Sequence, residues 1–84
     1  MNLFERIGRR AGVMGRMART LDVDFAGRIA RDEGAAAQYR GAVMRCAFCR
    51  HENACQGWMD GNEHAARAPE YCRNKDLLDS LSPN

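Results

Sequence analysis

Continuous apolar runs are missing from this sequence. No stretch approaches the roughly 20 apolar residues of a membrane-spanning helix. The first 20 residues, MNLFERIGRRAGVMGRMART, are interrupted by Arg6, Arg9, Arg10, Arg16 and Arg19, which leaves no apolar core for a signal peptide. The expectation is a soluble, cytoplasmic protein. Alternating strand patterns and Asn-Gly hairpin signals are absent too, so a sheet has no segments to build from. Large apolar side chains are scarce, because many of the hydrophobic residues are alanines. In a chain of 84 residues that predicts one small domain with a thin core, of the kind that adds disulfides, a metal or a partner subunit as a staple.

Several chemistries lack their signatures. There is no Walker-type glycine loop and no HExxH pair. Covalent haem attachment needs histidine directly after CxxC, and Arg50 occupies that place, with His51 one residue too late. A thioredoxin-like dithiol needs a strand-helix-strand context that the pattern does not offer. Cysteine-nucleophile catalysis has His51 or His64 as a candidate base but no orienting third group. No catalytic residue is assigned, and no enzyme is expected. Internal repeats and low-complexity segments are also absent.

What the chain does have is four cysteines in its second half. CAFCRHENACQGW, Cys46 to Trp58, holds a CxxC pair and, with five residues between, a third cysteine, and APEYC ends at Cys72, with sixteen residues between it and Cys55. In a reducing cytosol such a set binds metal or does redox chemistry more often than it forms permanent disulfides. Residues three apart on a helix have side-chain bases about 5–6 Å apart, so Cys46 and Cys49 can share one metal or two corners of a cluster. Cys55 adds a ligand from a new helix, and Cys72, behind Pro69, closes the set from another side. Four thiolates suit zinc or an iron-sulfur cluster and argue against magnesium, calcium or manganese. Structural zinc sites usually show two short-spaced pairs, and only one is present here. His51, two residues from Cys49, is an alternative ligand or a solvated residue between helices. Trp58 and Tyr71 are the candidates for shielding the site from water.

Helical periodicity orders the rest. Leu3, Phe4, Ile7, Ala11, Met14, Met17, Ala18 and Leu21 follow the three-and-four spacing of one face, with Asn2 placed to cap it. Gly8, Gly12 and Gly15 weaken that helix or let another helix approach closely. Leu21, Val23, Phe25 and Ile29 mark a second hydrophobic group, with Asp22 or Asp24 as its cap and Gly34 as its close. A third helix starts in AAAQYRGAVMRC and carries Tyr39, Ala42, Val43, Cys46 and Cys49 on one face. Asn53 is placed to cap a fourth helix with Ala54, Cys55, Trp58 and Met59, and Asn74 a fifth that returns Leu77, Leu78 and Leu81 to the core. DGNEHAAR reads as a loop or weak helix. The fold class is therefore all-α, a single domain over 1–84 of four or five short helices: a helical half (1–45) with a basic first helix, a cysteine-site half (46–81) and a tail (82–84).

Charge is polarised along the chain. Residues 1–20 carry five arginines against one glutamate, a local charge of +4, and residues 46–84 carry four basic against six acidic groups, a charge of −2. Arg6, Arg9, Arg10, Arg16 and Arg19 are the candidate contacts for a protein partner. Nucleic acid is a weaker alternative, since phosphate attraction needs only the charge while no aromatic residues interleave these arginines for base stacking. Apolar surface left by the thin core can also be buried in a homo-oligomer.

The cysteine triple CAFCRHENAC resembles the cluster-binding triples of WhiB-like regulators and of endonuclease III-type DNA glycosylases, which implies a [4Fe-4S] cluster. The likeness to the WhiB-like proteins extends to the helical aromatic of CQGWM. The fourth cysteine departs from both, lying downstream at Cys72 where those families place it upstream, and neither DNA-directed activity is carried over. Across nearly its whole length the chain resembles a family of small uncharacterised bacterial proteins, through MGRM (Met14 to Met17), LDVD (Leu21 to Asp24), CAFC, Cys55 with Trp58, and APEYCRN (Ala68 to Asn74). The functional expectation is a small metal-binding protein, a [4Fe-4S] protein with a redox- or oxygen-sensing role. The alternatives are a structural zinc adaptor and, third, a disulfide-stapled helical domain.

Overall fold

Five helices and no strand form among residues 2–83, the part of the chain that the computed structural model describes. α1 (Leu3–Thr20) starts at the cap its sequence predicts, with the Asn2 side chain accepting the Glu5 N–H at 2.8 Å. Val13, Met14, Met17 and Ala18 turn inward at helical spacing, and Leu21 follows them into the core. The first turn differs from expectation, since Leu3 is 50% and Phe4 83% exposed. It projects past the core that the rest of the stripe builds. Gly8 and Gly12 do not admit a second helix either: nothing lies within 4 Å of where a Cβ would stand.

The end of α1 decides which aspartate does what. Val23 N–H donates to Ala18 O at 2.8 Å and Asp22 N–H to Arg19 O at 3.1 Å, the paired bonds of a Schellman motif. Asp22 takes the left-handed conformation that this motif requires, with φ 58°, a place usually held by glycine because it has no Cβ to clash. Asp24 is then the cap of α2 (Phe25–Arg31), accepting the Gly27 N–H at 3.0 Å.

Gly34 does not close α2. Asp32 ends that helix and also caps α3 (Glu33–Ala47), accepting the Gly34 N–H at 2.9 Å. Its carboxylate satisfies one of the orphan donors of a new helix start, so the glycine falls in the first turn of α3. Phe25 packs edge-on to Tyr39, with ring centroids 5.4 Å apart, whereas Ile29 is 37% exposed. α4 (Glu52–Asp60) starts ahead of the expected Asn53 cap, with His51 at the cap position and no side-chain cap bond.

α5 (Lys75–Leu81) returns Leu78 to full burial, with Leu77 and Leu81 half-buried against the core. Asn74 stands at its cap position but does not cap it. The side chain turns inward, donating to Ala42 O at 2.8 Å and accepting from Arg45 Nε at 2.7 Å. A buried amide has to find partners where it lies, and the Ala42 carbonyl and Arg45 guanidinium of α3 supply them. α1 packs on α3 and α4, and α2 on α3. Residues 61–74 cross between α4 and α5 without a helix, tied down by Ala65 N–H to Thr20 O at 2.9 Å and Ala68 N–H to Asp79 Oδ1 at 2.8 Å. No described helix is long and apolar enough to cross a membrane.

Candidate metal centre

Three separate segments bring the cysteines together. Cys46 lies in the last turn of α3, and Cys49 just past its end. Cys55 is on the inner face of α4, and Cys72 is in the turn behind Pro69, where Cys72 N–H donates to Pro69 O at 3.0 Å. All four side chains line one cavity of about 30 Å³, walled on the α1 side by Val13, Met14 and Met17. That is more room than one water requires. The four thiols are unpaired, and Cys55 is the buried one while the other three are half-buried. Among the described residues no group of three or more His, Cys, Asp or Glu side chains is placed to hold one metal ion.

Tyr71 lines the cavity as expected, but Trp58 does not; it packs half-buried on the apolar core. One turn beyond Cys55 on α4, it shares that side of the helix without reaching the cavity. His51 lies outside the cavity, exposed, with its ring 5.1 Å from that of Tyr71. His64 is exposed as well, 3.5 Å from Asp22.

Four of the five N-terminal arginines are engaged with the chain's own second half. Arg6 Nε donates to Ala47 O at 2.5 Å, and its guanidinium sits over the Phe48 ring at 5.5 Å. Arg9 pairs with Glu52. Arg10 is the most enclosed: one guanidinium nitrogen donates to Cys46 O and, at 2.9 Å, to Cys49 O, while its Nε stands 2.7 Å from Glu52 Oε1. That last contact is an ion pair without hydrogen-bond alignment, since Glu52 Oε1 is buried with no hydrogen-bond partner. Arg16 reaches Gln56 at 3.2 Å and Asp60 at 2.7 Å on α4. Only Arg19 of the five is left exposed without a described contact to the second half.

Arg10, Glu52 and Asn74 therefore belong to the cavity and its surroundings, where the sequence suggests a partner contact for Arg10, a helix cap for Asn74 and no role for Glu52. For Arg10 a signal existed. Ile7, Arg10, Met14, Met17 and Leu21 follow a three-four-three-four spacing, so Arg10 occupies a core position and needs a buried counter-charge. Glu52 looks like part of a polar break and Asn74 like a cap, and only the three-dimensional packing gives them inward roles.

Burial raises the pKa of three of the thiols. For Cys46 desolvation outweighs the opposing pull of Arg10, and for Cys72 it outweighs the Asn74 N–H. Cys55 is pushed up to about 11 from 9.0, by desolvation first and then by the other cysteines. In the metal-free protein Cys55 then keeps its proton while an unfolded chain has lost it, so the folded state binds more protons than the unfolded state between those values. Stability is full below about pH 9 and falls as pH rises toward 11. Thermal melts of metal-free protein across that range check the sign. Metal ligation runs the other way, since it requires the thiolates.

The chain belongs to the family of unknown function DUF6455, which matches residues 1–84. No curated protein and no solved structure matches it. The likeness to the WhiB-like proteins accordingly rests on the short stretch from Cys46 to Met59 alone.

Proposed function

We propose that this member of DUF6455 holds an iron-sulfur cluster, a [4Fe-4S] centre, on Cys46, Cys49, Cys55 and Cys72 and acts as a small redox- or oxygen-responsive protein, not as an enzyme. The observation that carries the reading is the convergence of four unpaired thiols, from the end of α3, from α4 and from the Pro69 turn, on one cavity. The donor set fits a polynuclear group. Around a single zinc, at about 2.3 Å per sulfur, four thiolates crowd together, whereas each corner of a cluster takes its own thiolate and tolerates a wider set. Cys49 and Cys72 lie outside helices, where the backbone can adjust to admit a cluster.

When bound, the cluster supplies one-electron redox chemistry and sensitivity to oxygen. The chain's own part is to hold its thiolates from the end of α3, from α4 and from the Pro69 turn, so that losing the cluster releases three elements at once. A reducing cytoplasm keeps the four thiols available. A protein partner would reach the site at its mouth, where Phe48 is 49% exposed and Arg6, Arg50, His51 and Arg73 line the adjoining groove with no acidic side chain among them. That face suits an acidic protein surface.

Protein isolated without oxygen or added metal is expected to be brown, with iron and acid-labile sulfide present together. Zinc alone would replace this reading with the structural zinc adaptor. Neither metal, with no free thiol, would make the cysteines disulfide staples.

A further inference from the structure

The Tyr71 hydroxyl is buried and has no hydrogen-bond partner. Buried hydroxyls almost always have one. The ring is fixed from one side by His51, 5.1 Å away at 41°, and the residue is anchored by its neighbour in the Pro69 turn, Cys72. It lines the cysteine cavity, and its hydroxyl lies within electrostatic reach of Cys49, Cys55 and Cys72. Its oxygen is closed off from bulk water, and the cavity it lines holds four thiols as well as the polar side chains of Arg10, Glu52, Arg73 and Asn74, none of which bonds to it. A buried phenol with no partner, lining a cavity with four cysteines, is placed to be a donor, and sulfur carrying negative charge is the acceptor that would offset its burial.

We propose that Tyr71 is a positioning residue whose hydroxyl donates a hydrogen bond to a sulfur of the group that the four cysteines hold. The inference rests on the cluster reading above and deepens it. Hydrogen bonds to cluster sulfurs favour the more negative, reduced state, and they are one of the levers that set reduction potential. Tyr71 therefore raises the potential of the centre and slows its loss, while in the metal-free protein its hydroxyl contributes nothing to stability.

Tyr71→Phe removes the hydroxyl and keeps the ring on His51. Wild type and variant are compared as metal-free protein and after anaerobic reconstitution with iron and sulfide. Both should take up the cluster. In the variant the reduced-to-oxidised ratio at a fixed potential should fall about tenfold, equivalent to about 59 mV for one electron, and visible absorbance should fade several-fold faster in air. Metal-free Tyr71→Phe should melt at or above the temperature of metal-free wild type. Equal potentials and equal fading would overturn the proposal and leave the cluster reading standing. So would equal destabilisation of metal-free and loaded forms, which marks a purely structural role. A wild type that takes up no cluster would end the cluster reading, and this inference with it.

Discussion

Cys72→Ser should abolish the visible absorbance of the reconstituted protein while leaving the metal-free fold largely intact. Cys72 is the test of choice because it comes from a different part of the chain than the compact triple. Cys46, Cys49 and Cys55 lie within ten residues, and three thiolates can hold an incomplete or exchanging centre. Completing the set takes the turn after Pro69, seventeen residues beyond Cys55. Serine removes the soft ligand at nearly the same volume, and the half-buried site tolerates a hydroxyl at a cost of about 1 kcal/mol. A ligand that binds only the folded state stabilises it by about 2.7 kcal/mol at a hundredfold excess over its dissociation constant. In a domain of this size that corresponds to a rise in Tm of about 10–20 °C. Wild type should show such a gap between loaded and metal-free protein, and Cys72→Ser should show almost none. Absorbance retained in the variant would remove Cys72 from the ligand set and defeat the four-cysteine arrangement.

That Cys72 lines the same cavity as the other three cysteines was legible from residue type alone. Four thiols in half of a small chain have little other shared space, whatever helices carry them. Helices were legible for a related reason: the stripe from Met14 to Leu21 sets its own period, and Asn2 and Asp24 are side chains whose capping geometry is local. What escaped the reading are residues whose role is assigned by partners distant in sequence. Asn74 has the local signature of a cap, but its amide is worth more inside, between Ala42 O and Arg45. Gly34 has the signature of a stop, but Asp32 restarts the chain two residues earlier. The arginines read as a surface because charge is normally solvated, and four of them instead bridge to α3, the CxxC segment and α4. That bridging converts a candidate docking helix into the brace of the site. The polarity along the sequence, basic first and acidic later, is then the electrostatic match between the two halves of one molecule.

The strength of that brace sets the other large effect. Glu52→Ala should destabilise the metal-free protein by about 3–5 kcal/mol, the cost of stranding a buried charge. Arg9 contributes little, being 53% exposed and screened by water. The weight falls on Arg10, 12% exposed against a carboxylate at 8%. Its guanidinium cannot turn to solvent without dropping the Cys46 and Cys49 carbonyls. At about 0.05–0.15 kcal/mol per residue, a domain of this length has only about 4–13 kcal/mol to lose, so the variant should forfeit a large share of its metal-free stability. Glu52→Gln keeps the shape and one acceptor and should cost clearly less. Adding Arg10→Met to Glu52→Ala should recover part of the loss, because it removes the stranded charge. The recovery should stay incomplete, since the two CxxC carbonyls then lack their donor. Urea melts of the two single variants and the double variant measure that coupling. Additive losses would show that Arg10 and Glu52 act separately, and that the CxxC segment is held by its own backbone and not by the pair.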